Sequence, residues 1–402
     1  MKHINIFLSL IILIVFCTVD VHLSLSQWTQ SNNGLGNSIV NSFAIKGNII
    51  FAGAYGSGVF LTTNYGENWT QTTKIENEPL VSSLATNSNN IYAGTLWYGL
   101  YLSTDNGANW IQTSFSNASV YALAVNENSI FAANNSVYVS TNNGANWTLR
   151  GLTTSQVLSL AVNGNYIFAG TQNSGVFASS NNGMNWSQTS LDNETIYSIA
   201  INGSNIYAAA GPHLYLSTNN GINWSQTSLN YQHIISIAVS GTNLFAGSNT
   251  FGVYVSSNNG IDWTQRNDGL GNLNIEAFCI INNYIFAATN SHSVYRRPLN
   301  ELLAIVPLTN VLPVSYSLSQ NYPNPFNPVT KIRFDIAGSS VTQTFLTVYD
   351  LLGREVSVLV NQNLKPGTFE VDFNASNYPS GVFYYRLTAG DYSETKKMIL
   401  VK

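Results

Sequence analysis

The octapeptide STNNGANW occupies residues 140–147, and five close variants of it occur elsewhere in the chain. The other copies are TTNYGENW (62–69), STDNGANW (103–110), SSNNGMNW (179–186), STNNGINW (217–224) and SSNNGIDW (256–263). Trp28 precedes the first copy, and neighbouring tryptophans of this series lie 37 to 41 residues apart. A period near 40 residues indicates that the chain is built from repeated structural units.

The sequence between these tryptophans repeats as well. The segments IVNSFAIKGNIIFAGAYGSGVFLTT (39–63), QVLSLAVNGNYIFAGTQNSGVFASS (156–180) and HIISIAVSGTNLFAGSNTFGVYVSS (233–257) align along their whole length. Each contains three short runs rich in β-branched and aromatic residues, separated by turn residues, and a short polar run follows each Trp. Four strands in a unit of about 40 residues predict the blade of a β-propeller.

The number of units predicts an all-β fold with a seven-bladed β-propeller. First strands are expected to begin near Ile39, Leu80, Ser119, Gln156, Thr195, His233 and Asn274. The seventh unit stops at residues 293–297, with no turn motif and no fourth strand after it. Residues 28–30 resemble a fourth strand that is not preceded by the other three strands of a unit. We therefore expect residues 28–31 to pair with residues 293–297, so that N- and C-terminal strands close the ring and remove an exposed sheet edge. The alternative is an open solenoid of seven units.

The turn motif resembles the Asp-box, or bacterial neuraminidase repeat, whose pattern is Ser/Thr-x-Asp-x-Gly-x-x-Trp. The Asn or Asp is expected to accept hydrogen bonds from backbone N–H groups, the Gly to be left-handed, and the Trp to pack between sheets. These structural positions are Asn64 and Trp69, Asp105 and Trp110, Asn142 and Trp147, Asn181 and Trp186, Asn219 and Trp224, and Asn258 and Trp263. Asp105 alone keeps the acidic residue, which weakens a calcium-site interpretation.

The Asp-box resemblance extends to sialidases and propeller glycanases, but their catalytic residues do not carry over. Sialidases need three arginines that converge on the substrate, and residues 27–297 contain Arg150, Arg266, Arg296 and Arg297, the last two adjacent on one strand. A glycanase needs two separated carboxylates. Such a pair remains open among Glu76, Glu78, Asp192, Glu194 and Asp268, which are expected in loops. We assign no catalytic residue, and a glycan-active hydrolase stays as an alternative.

Propeller topology brings two classes of loop to one side of the ring: those joining second to third strands, and those joining fourth strands to the next unit. Aromatic and histidine side chains in these loops form a candidate ligand rim, because exposed rings around a funnel suit sugar rings or peptide segments. The rim comprises Tyr55, Trp97, Tyr98, His213, Tyr231, His233, Phe251 and His292. Trp97 is the one Trp outside the repeat register. The alternative is that these rings pack against neighbouring loops.

Composition limits the other functions. Charged residues make up 8% and hydrophobic residues 45% of the 402 residues, with a net charge of −4. Few basic residues are available to neutralise phosphates, which argues against nucleic-acid binding. His213, His233 and His292 stand alone, without metal-ligand spacing. We therefore predict neither a cofactor nor a metal site.

The N-terminal segment predicts export. Lys2 and His3 precede an apolar run at residues 4–19, and Ser24 and Ser26 stand before a plausible cleavage site at Gln27. This order is typical of a secretory signal peptide, with a membrane anchor as the alternative. Cleavage would leave Cys279 as the remaining cysteine, and its apolar neighbours indicate a packed core position rather than a nucleophile.

The repeat ends at Pro298, and a different region follows. Its motifs are LSQNYPNPFNPVTKIRF (318–334), TVYDLLGREV (347–356), PSGVFYYRL (379–387) and KKMILVK (396–402). Together they resemble the type A C-terminal sorting domain of the type IX secretion system of Bacteroidetes and related phyla, and the Ig-like domain of flagellar hook-capping proteins. The sorting motif that carries the resemblance comprises Asn321, Tyr322, Pro323, Asn324, Pro325, Phe326, Asn327 and Pro328.

The strand pattern of this region predicts a small Ig-like β-sandwich with strands at 331–336, 345–349, 369–373, 382–387 and 396–401. A sugar-binding or adhesive Ig module is the alternative to sorting. The resemblance implies that the outer-membrane secretion machinery is a partner and that the protein is secreted or held at the outer surface of a Gram-negative-type bacterium.

The sequence thus predicts four segments: a signal peptide (1–26), a propeller (27–297), a linker (298–313) and a sorting domain (314–402). The predicted function is a binding or interaction module, with a glycan or a protein as its ligand. Besides the hydrolase, an assembly scaffold that binds a protein partner is an alternative, because this propeller is similar to photosystem assembly factors.

Overall fold

The computed structural model describes residues 27–76, 79–126, 129–152, 156–303, 312–375 and 378–402. The predicted signal peptide and residues 304–311 of the predicted linker lie outside the described residues. The described chain is β-strand and turn apart from one short helix, α1 (Leu299–Leu302). The fold is therefore all-β, as the abundance of β-branched and aromatic residues predicts.

The N-terminal region begins with β1 (Thr29–Gln30) and continues as a series of antiparallel sheets. Sheet 1 contains β2 (Ile39–Lys46), β3 (Ile49–Tyr55), β4 (Gly58–Thr62) and β5 (Thr70–Gln71). Sheet 2 contains β6 (Val81–Thr86), β7 (Ile91–Thr95), β8 (Gly99–Ser103) and β9 (Ile111–Gln112). Sheet 3 contains β10 (Ala122–Asn126), β11 (Ser129–Ala133), β12 (Val137–Ser140) and β13 (Thr148–Leu149).

Three further groups of strands complete this region. Sheet 4 contains β14 (Val157–Asn163), β15 (Tyr166–Thr171), β16 (Val176–Ser179) and β17 (Ser187–Gln188). A six-stranded sheet contains β18 (Ser198–Asn202), β19 (Asn205–Ser217), β20 (Ser225–Ser240), β21 (Asn243–Ser248), β22 (Val253–Ser256) and β23 (Thr264–Gln265). The terminal sheet has the order β1-β26-β25-β24 and adds β24 (Ile275–Ile281), β25 (Tyr284–Thr289) and β26 (Ser293–Pro298).

The first strands of successive units contact one another. β2 contacts β6, and the contacts continue through β10, β14, β18, β20 and β24, which in turn contacts β2. In the terminal sheet, Thr29 pairs with Arg296 and Gln30 with Tyr295, which is the pairing expected from the sequence. The terminal sheet is thus assembled from residues more than 260 positions apart.

The recurring Phe/Tyr-Ala-Gly sequence of the second strands is explained by packing between neighbouring sheets. A Cβ on Gly53 would lie 2.7 Å from Val81 Cγ1 of sheet 2, and one on Gly94 would lie 2.7 Å from Val120 Cγ1. These separations are far inside van der Waals contact, so the branched side chain of the next unit occupies the space that glycine leaves free. The repeated small residue therefore sets how closely adjacent sheets approach.

The six-stranded sheet departs from the repeat. β19 includes the second and third strands of one unit together with the turn between them, and β20 includes the fourth strand of that unit and the first strand of the next. The segment between Ala209 and Leu214 is one residue shorter than its counterpart between Gly170 and Val176. β19 reverses at Gly211, which has φ 63°, and its pairing with β20 has two register shifts.

The C-terminal region consists of two antiparallel sheets with a shared core. Its strands are β27 (Ser317–Leu318), β28 (Val329–Ile336), β29 (Thr342–Tyr349), β30 (Glu355–Leu364), β31 (Gly367–Asn374), β32 (Gly381–Ala389) and β33 (Tyr392–Leu400). The sheet orders are β27-β28-β31 and β30-β29-β32-β33. Phe334 and Phe369 stack in the core with their ring centroids 5.5 Å apart.

The five strands expected in this region are present, but the expected number was too low. β27 has two residues, and β30 lies at a sheet edge with few buried side chains, so neither shows the regular alternation that identifies a half-buried strand.

Candidate ligand-binding face

The turn motifs share one hydrogen-bonded geometry. In the copy at 140–147, the Ser140 hydroxyl donates to Asn142 Oδ1 at 2.9 Å and accepts from the N–H of Gly144 at 2.8 Å, while Asn142 Oδ1 accepts from the N–H of Asn146 at 2.9 Å. Asp105 makes the same contact with the N–H of Asn109, whose hydrogen bonds lower the pKa of that carboxyl. Asn and Asp are therefore interchangeable in this turn.

The backbone of these turns differs from the expectation in one respect. Asn143 has φ 55° and Gly144 has φ 83°, so two consecutive residues are left-handed, where the sequence predicted the glycine alone. The same pair recurs in all six copies, and the residue before the glycine is asparagine in five of them. Asn is the non-glycine residue that best tolerates this conformation, which explains its recurrence.

The tryptophans of the motif link each sheet to the preceding one. The indole of Trp69 donates to the carbonyl of Ser31 at 2.9 Å, that of Trp28 to the carbonyl of Arg266 at 2.8 Å, and that of Trp186 to the carbonyl of Arg150 at 2.8 Å. Trp28 and Trp69 are buried, and the other five are half-buried. The motif is thus structural and stabilises the contacts between sheets.

The turn motifs join third and fourth strands, so they lie at the same ends of the strands as the hairpins between first and second strands. The opposite ends carry the loops from second to third strands and from fourth strands to the next unit. We call this side the ligand-binding face, after the binding that we propose for it below. The predicted rim residues belong to its loops or, for His213, Tyr231 and His233, to β19 and β20, which include the corresponding turns of the six-stranded sheet.

Trp97 occupies an unusual position on this face. It has φ 72° in the turn between β7 and β8, and its side chain is 63% exposed. A bulky residue pays a conformational penalty there. The equivalent position in sheet 4 is Asn173, with φ 64°, and both backbone N–H groups donate to a hydroxyl of the next loop, Ser119 for Trp97 and Thr195 for Asn173, each at 3.1 Å.

A glutamine on the fourth strand holds each of these turns. Gln112 Nε2 donates to the carbonyl of Tyr98 at 2.7 Å, and Gln188 Nε2 to that of Ser174 at 3.0 Å. The same bond joins two further pairs, Gln71 to Ser57 and Gln265 to Phe251. We call these residues clamp glutamines. Sequence reasoning missed them, although the recurring Gln two residues after the motif Trp was a usable signal.

The remaining rim residues are distributed around the face. Tyr55, Tyr98 and Phe251 are exposed. His233 and His292 are also exposed, and His213 is half-buried. The side chain of Tyr231 lies outside the described residues. A Cβ on Gly56, the residue after Tyr55, would lie 3.6 Å from Leu80 Cδ2, and the carbonyl of Leu80 accepts from the N–H of Leu96. The turns that carry Tyr55 and Trp97 are therefore linked through Leu80.

The structure adds one aromatic residue that the sequence reasoning omitted. Tyr197 precedes β18 on the same face and is 45% exposed. Its ring lies beside Gly211, where a Cβ would be 3.6 Å from Tyr197 Cε2.

The face also contains a cleft of about 450 Å³ beside the Tyr55 turn. It is lined by the Gly56–Gly58 turn, by residues 34–38 and by the side chains of Phe60, Gln71 and Lys74.

The carboxylates considered for a hydrolase are spread over several loops. Glu194 accepts from the Tyr215 hydroxyl at 3.4 Å, whereas Glu76 is exposed before β6. Asp192 and Asp268 are exposed, and Glu78 lies outside the described residues. Within the described ranges, no cluster of His, Cys, Asp and Glu is arranged to hold a metal. Cys279 is buried, which raises the pKa of its thiol to about 12.

The sorting motif is integrated into the C-terminal region. Asn321 is buried, and its Nδ2 donates to Thr330 Oγ1 at 2.9 Å and to the Pro323 carbonyl at 3.0 Å. Phe326 is buried and bonds through its backbone to Ile399 and Val401. Tyr322, by contrast, is 80% exposed. The motif therefore links β28 to β33, the last strand of the chain.

This architecture is that of a β-propeller followed by a secretion sorting domain, and comparison with known families agrees. Residues 320–402 match the secretion system C-terminal sorting domain, and residues 160–294 match the DUF6242 beta propeller domain. The chain thus carries a C-terminal domain that addresses it to the secretion machinery, and the protein is secreted or located at the outer cell surface. No described helix has the length and apolarity needed to cross a membrane.

Solved structures share the fold at low sequence identity. PorZ of Porphyromonas gingivalis, a surface component of the type IX secretion system, is 14% identical, with a TM-score of 0.52 over 92% of this chain and 60% of that one. YCF48 of Cyanidioschyzon merolae is 14% identical, with a TM-score of 0.56 over 68% of this chain and 98% of that one. The extracellular domain of BT4673 from B. thetaiotaomicron is 18% identical, with a TM-score of 0.58 over 79% of this chain and 45% of that one.

The chain thus spans about half the length of some of these proteins and nearly all of others. No curated protein matches its sequence.

Proposed function

We propose that residues 27–297 form a closed seven-bladed propeller, that residues 298–313 are a linker and that residues 314–402 form an Ig-like sandwich. The cyclic order of contacts from β2 through β24 and back to β2 supports the ring. The six-stranded sheet counts as two blades, because β18 and the later part of β20 both stand in the series of first strands. The two facing sheets and their shared core support the sandwich.

The propeller is proposed to be a binding module that acts outside the cell and holds its ligand on the ligand-binding face. The conformation of Trp97 carries this proposal. Its left-handed backbone is costly for a bulky residue, and the exposed indole recovers little of that cost through burial. A residue of this kind persists where it serves a contact outside the folded chain.

The position is also rigid. The N–H of Trp97 is bound by Ser119, and the carbonyl of Tyr98 is bound by Gln112. An indole whose backbone is held in this way loses less conformational freedom when a ligand stacks on it. The neighbouring exposed rings of Tyr55 and Tyr98 extend the apolar area, so a flat or ring-shaped ligand segment suits the surface.

The test is a glycan array and a polysaccharide pull-down with purified residues 27–402, in parallel with a Trp97→Asn variant. Asn is chosen because Asn173 occupies the same position in sheet 4. Ile222→Asn serves as the matched control, since Ile222 is similarly exposed but lies in a turn motif on the opposite side. We expect Trp97→Asn to lose the ligand and Ile222→Asn to retain it.

A ligand retained equally by both variants would contradict the role of Trp97. If no glycan binds, a pull-down from the secreted and surface proteins of the source cells tests for a protein partner, with the same pair of variants.

A further inference from the structure

The inference drawn here rests on the proposed binding function and concerns the class of its ligand. It begins with Gln226, which follows Trp224 by two residues and therefore stands where the clamp glutamines stand. In the six-stranded sheet the second and third strands both belong to β19, which reverses at Gly211, and no described backbone carbonyl of this turn accepts from Gln226. The amide of Gln226 is thus available for other contacts.

Gln226 instead joins a polar cluster at the ligand-binding face. Its Nε2 lies 2.6 Å from His213 Nδ1 and 2.5 Å from Asn230 Oδ1. Gln232 Nε2 donates to the Asn230 carbonyl at 2.9 Å, and Gln232 Oε1 accepts from the Tyr254 hydroxyl at 2.5 Å. We call His213, Gln226, Asn230 and Gln232 the amide shelf.

The shelf presents a free acceptor beside a free donor. Gln226 uses both hydrogens of Nε2, and no described residue hydrogen-bonds to its Oε1. Asn230 accepts at Oδ1, and no described residue accepts from its Nδ2. Gln226 is exposed and Asn230 half-buried, so both groups can reach a ligand. An acceptor and a donor held side by side match two adjacent hydroxyl groups, each of which can donate and accept.

Two exposed rings lie in segments next to the shelf. Tyr197 lies beside Gly211, which pairs with Ile234 in β20. Phe251 lies in the turn that follows Asn249, whose N–H donates at 3.1 Å to the carbonyl of His233, the residue after Gln232. The C–H face of a pyranose ring packs on such side chains while its hydroxyls meet the amides.

The charges nearby favour a neutral ligand. None of the three amide side chains carries a charge. Glu194 accepts from the hydroxyl of Tyr215, the residue paired with Gln226, and its carboxylate disfavours an anionic sugar at this place.

We propose that the amide shelf, flanked by Tyr197 and Phe251, is a subsite for a neutral sugar with adjacent free hydroxyls. Trp97 lies in sheet 2 and the shelf in the six-stranded sheet, so the ligand that both would contact is a polysaccharide chain rather than a monosaccharide. The propeller then recognises neutral extracellular polysaccharide through two separate subsites.

The experiment measures binding of the purified 27–402 chain to neutral polysaccharides (laminarin, xyloglucan, mannan and amylose) and to charged ones (polygalacturonate and heparin). Variants Gln226→Ala and Phe251→Ala are compared with Gln188→Ala, a clamp glutamine of sheet 4 that serves as the matched control, and with Trp97→Asn. We expect a neutral polymer to bind and both subsite variants to weaken it by about tenfold, the loss that one or two ligand contacts produce. Gln188→Ala is expected to stay within about twofold of the unchanged protein, because it loses a turn contact remote from the shelf.

The outcomes separate this inference from the proposed function. If Trp97→Asn loses binding while Gln226→Ala and Phe251→Ala do not, the subsite is wrong and the binding face stands. If the subsite variants lose binding and Trp97→Asn does not, the subsite stands and the role of Trp97 is wrong. Binding of charged polymers alone, or of no polysaccharide, overturns the subsite. Circular dichroism of each variant verifies that it is folded.

Discussion

The backbone N–H of Trp97 donates to the hydroxyl of Ser119 at 3.1 Å, so the most exposed aromatic turn of the ligand-binding face is held by the loop that enters the next sheet. Thr195 holds Asn173 in the same way two sheets further along. The same hydrogen bond therefore holds this turn in two units of the repeat, and in sheet 2 the turn carries the indole of Trp97.

Removing this hydrogen bond is expected to weaken ligand binding more than folding. Ser119→Ala removes one partly exposed hydrogen bond, which contributes about 0.5–1.5 kcal/mol to stability. The freed turn must be ordered again on binding, so affinity should fall several-fold. Titration calorimetry and urea unfolding measure the two effects. Thr195→Ala is the control; it also removes the bond from the Thr195 hydroxyl to Asn173 Oδ1, so it should lose at least as much stability while its affinity is unchanged. Equal affinity losses in both variants would contradict the role of the Trp97 turn.

Trp97→Asn is expected to retain or increase the free energy of unfolding while it abolishes the Trp97 contact. Asn accepts left-handed φ values at lower cost than Trp, and little buried area is lost because the indole is exposed. The expected gain is zero to about 1 kcal/mol, measured by urea unfolding. A clear loss of stability would mean that the indole packs against the fold.

The turn-motif tryptophans should differ in their contributions. Trp69 is buried, and its indole N–H is bound to the Ser31 carbonyl, so Trp69→Ala is expected to cost about 3–5 kcal/mol. Trp147 is half-buried, and no described group accepts from its indole N–H, so Trp147→Ala should cost clearly less. Thermal unfolding of both variants ranks them. If Trp147→Ala lost as much stability as Trp69→Ala or more, burial of the indole would not determine how much each motif tryptophan stabilises the fold.

The C-terminal sheets should lose stability in alkali. The Tyr385 side chain is buried, which raises the pKa of its hydroxyl to about 12, against about 10 in the unfolded chain. Because the neutral phenol is favoured in the folded state, its stabilising effect is complete below pH 10 and is lost as the pH rises to about 12.

Tyr385→Phe tests this effect. The variant leaves the carbonyl of Ser319 and the N–H of Asn321 without their partner, so it should be less stable at pH 8 by about 1–3 kcal/mol. The difference from the unchanged protein should narrow between pH 10 and pH 12 in urea unfolding curves. A constant difference across this range would contradict the raised pKa.

Much of the architecture could be predicted because its determinants are local. The Ser-x-Asn-x-Gly-x-x-Trp turn requires contacts between residues at most four positions apart, as in Ser140 to Gly144, and such contacts recur wherever the text recurs. The sorting-domain assignment was confirmed for the same reason, since the motif at 321–328 is a contiguous stretch. Strand β30 was missed because an edge strand buries too few side chains to show a pattern.

The candidate site was predicted less completely. The sequence identified Trp97 as the Trp outside the register, but its left-handed backbone and its exposure depend on the turn around it. Gln226 has the same neighbouring residues as the clamp glutamines, so only the tertiary structure reveals that its amide contacts His213 and Asn230 instead of a turn carbonyl. Tyr197 is on the face because of its position beside Gly211, fourteen residues later.

The sequence by itself determined the repeat, its turns, the strand of the N-terminus that pairs with the last unit, and the secretion address. Each of these depends on residue types at short or regular spacing, and the physical chemistry of such contacts does not change with the rest of the fold. Tertiary structure alone decided which rings are exposed, which glutamine contacts side chains instead of a turn carbonyl, and which groups form the amide shelf. Those properties depend on how neighbouring sheets meet, because a side chain is free only where no other segment of the chain has taken its hydrogen bonds or covered its surface.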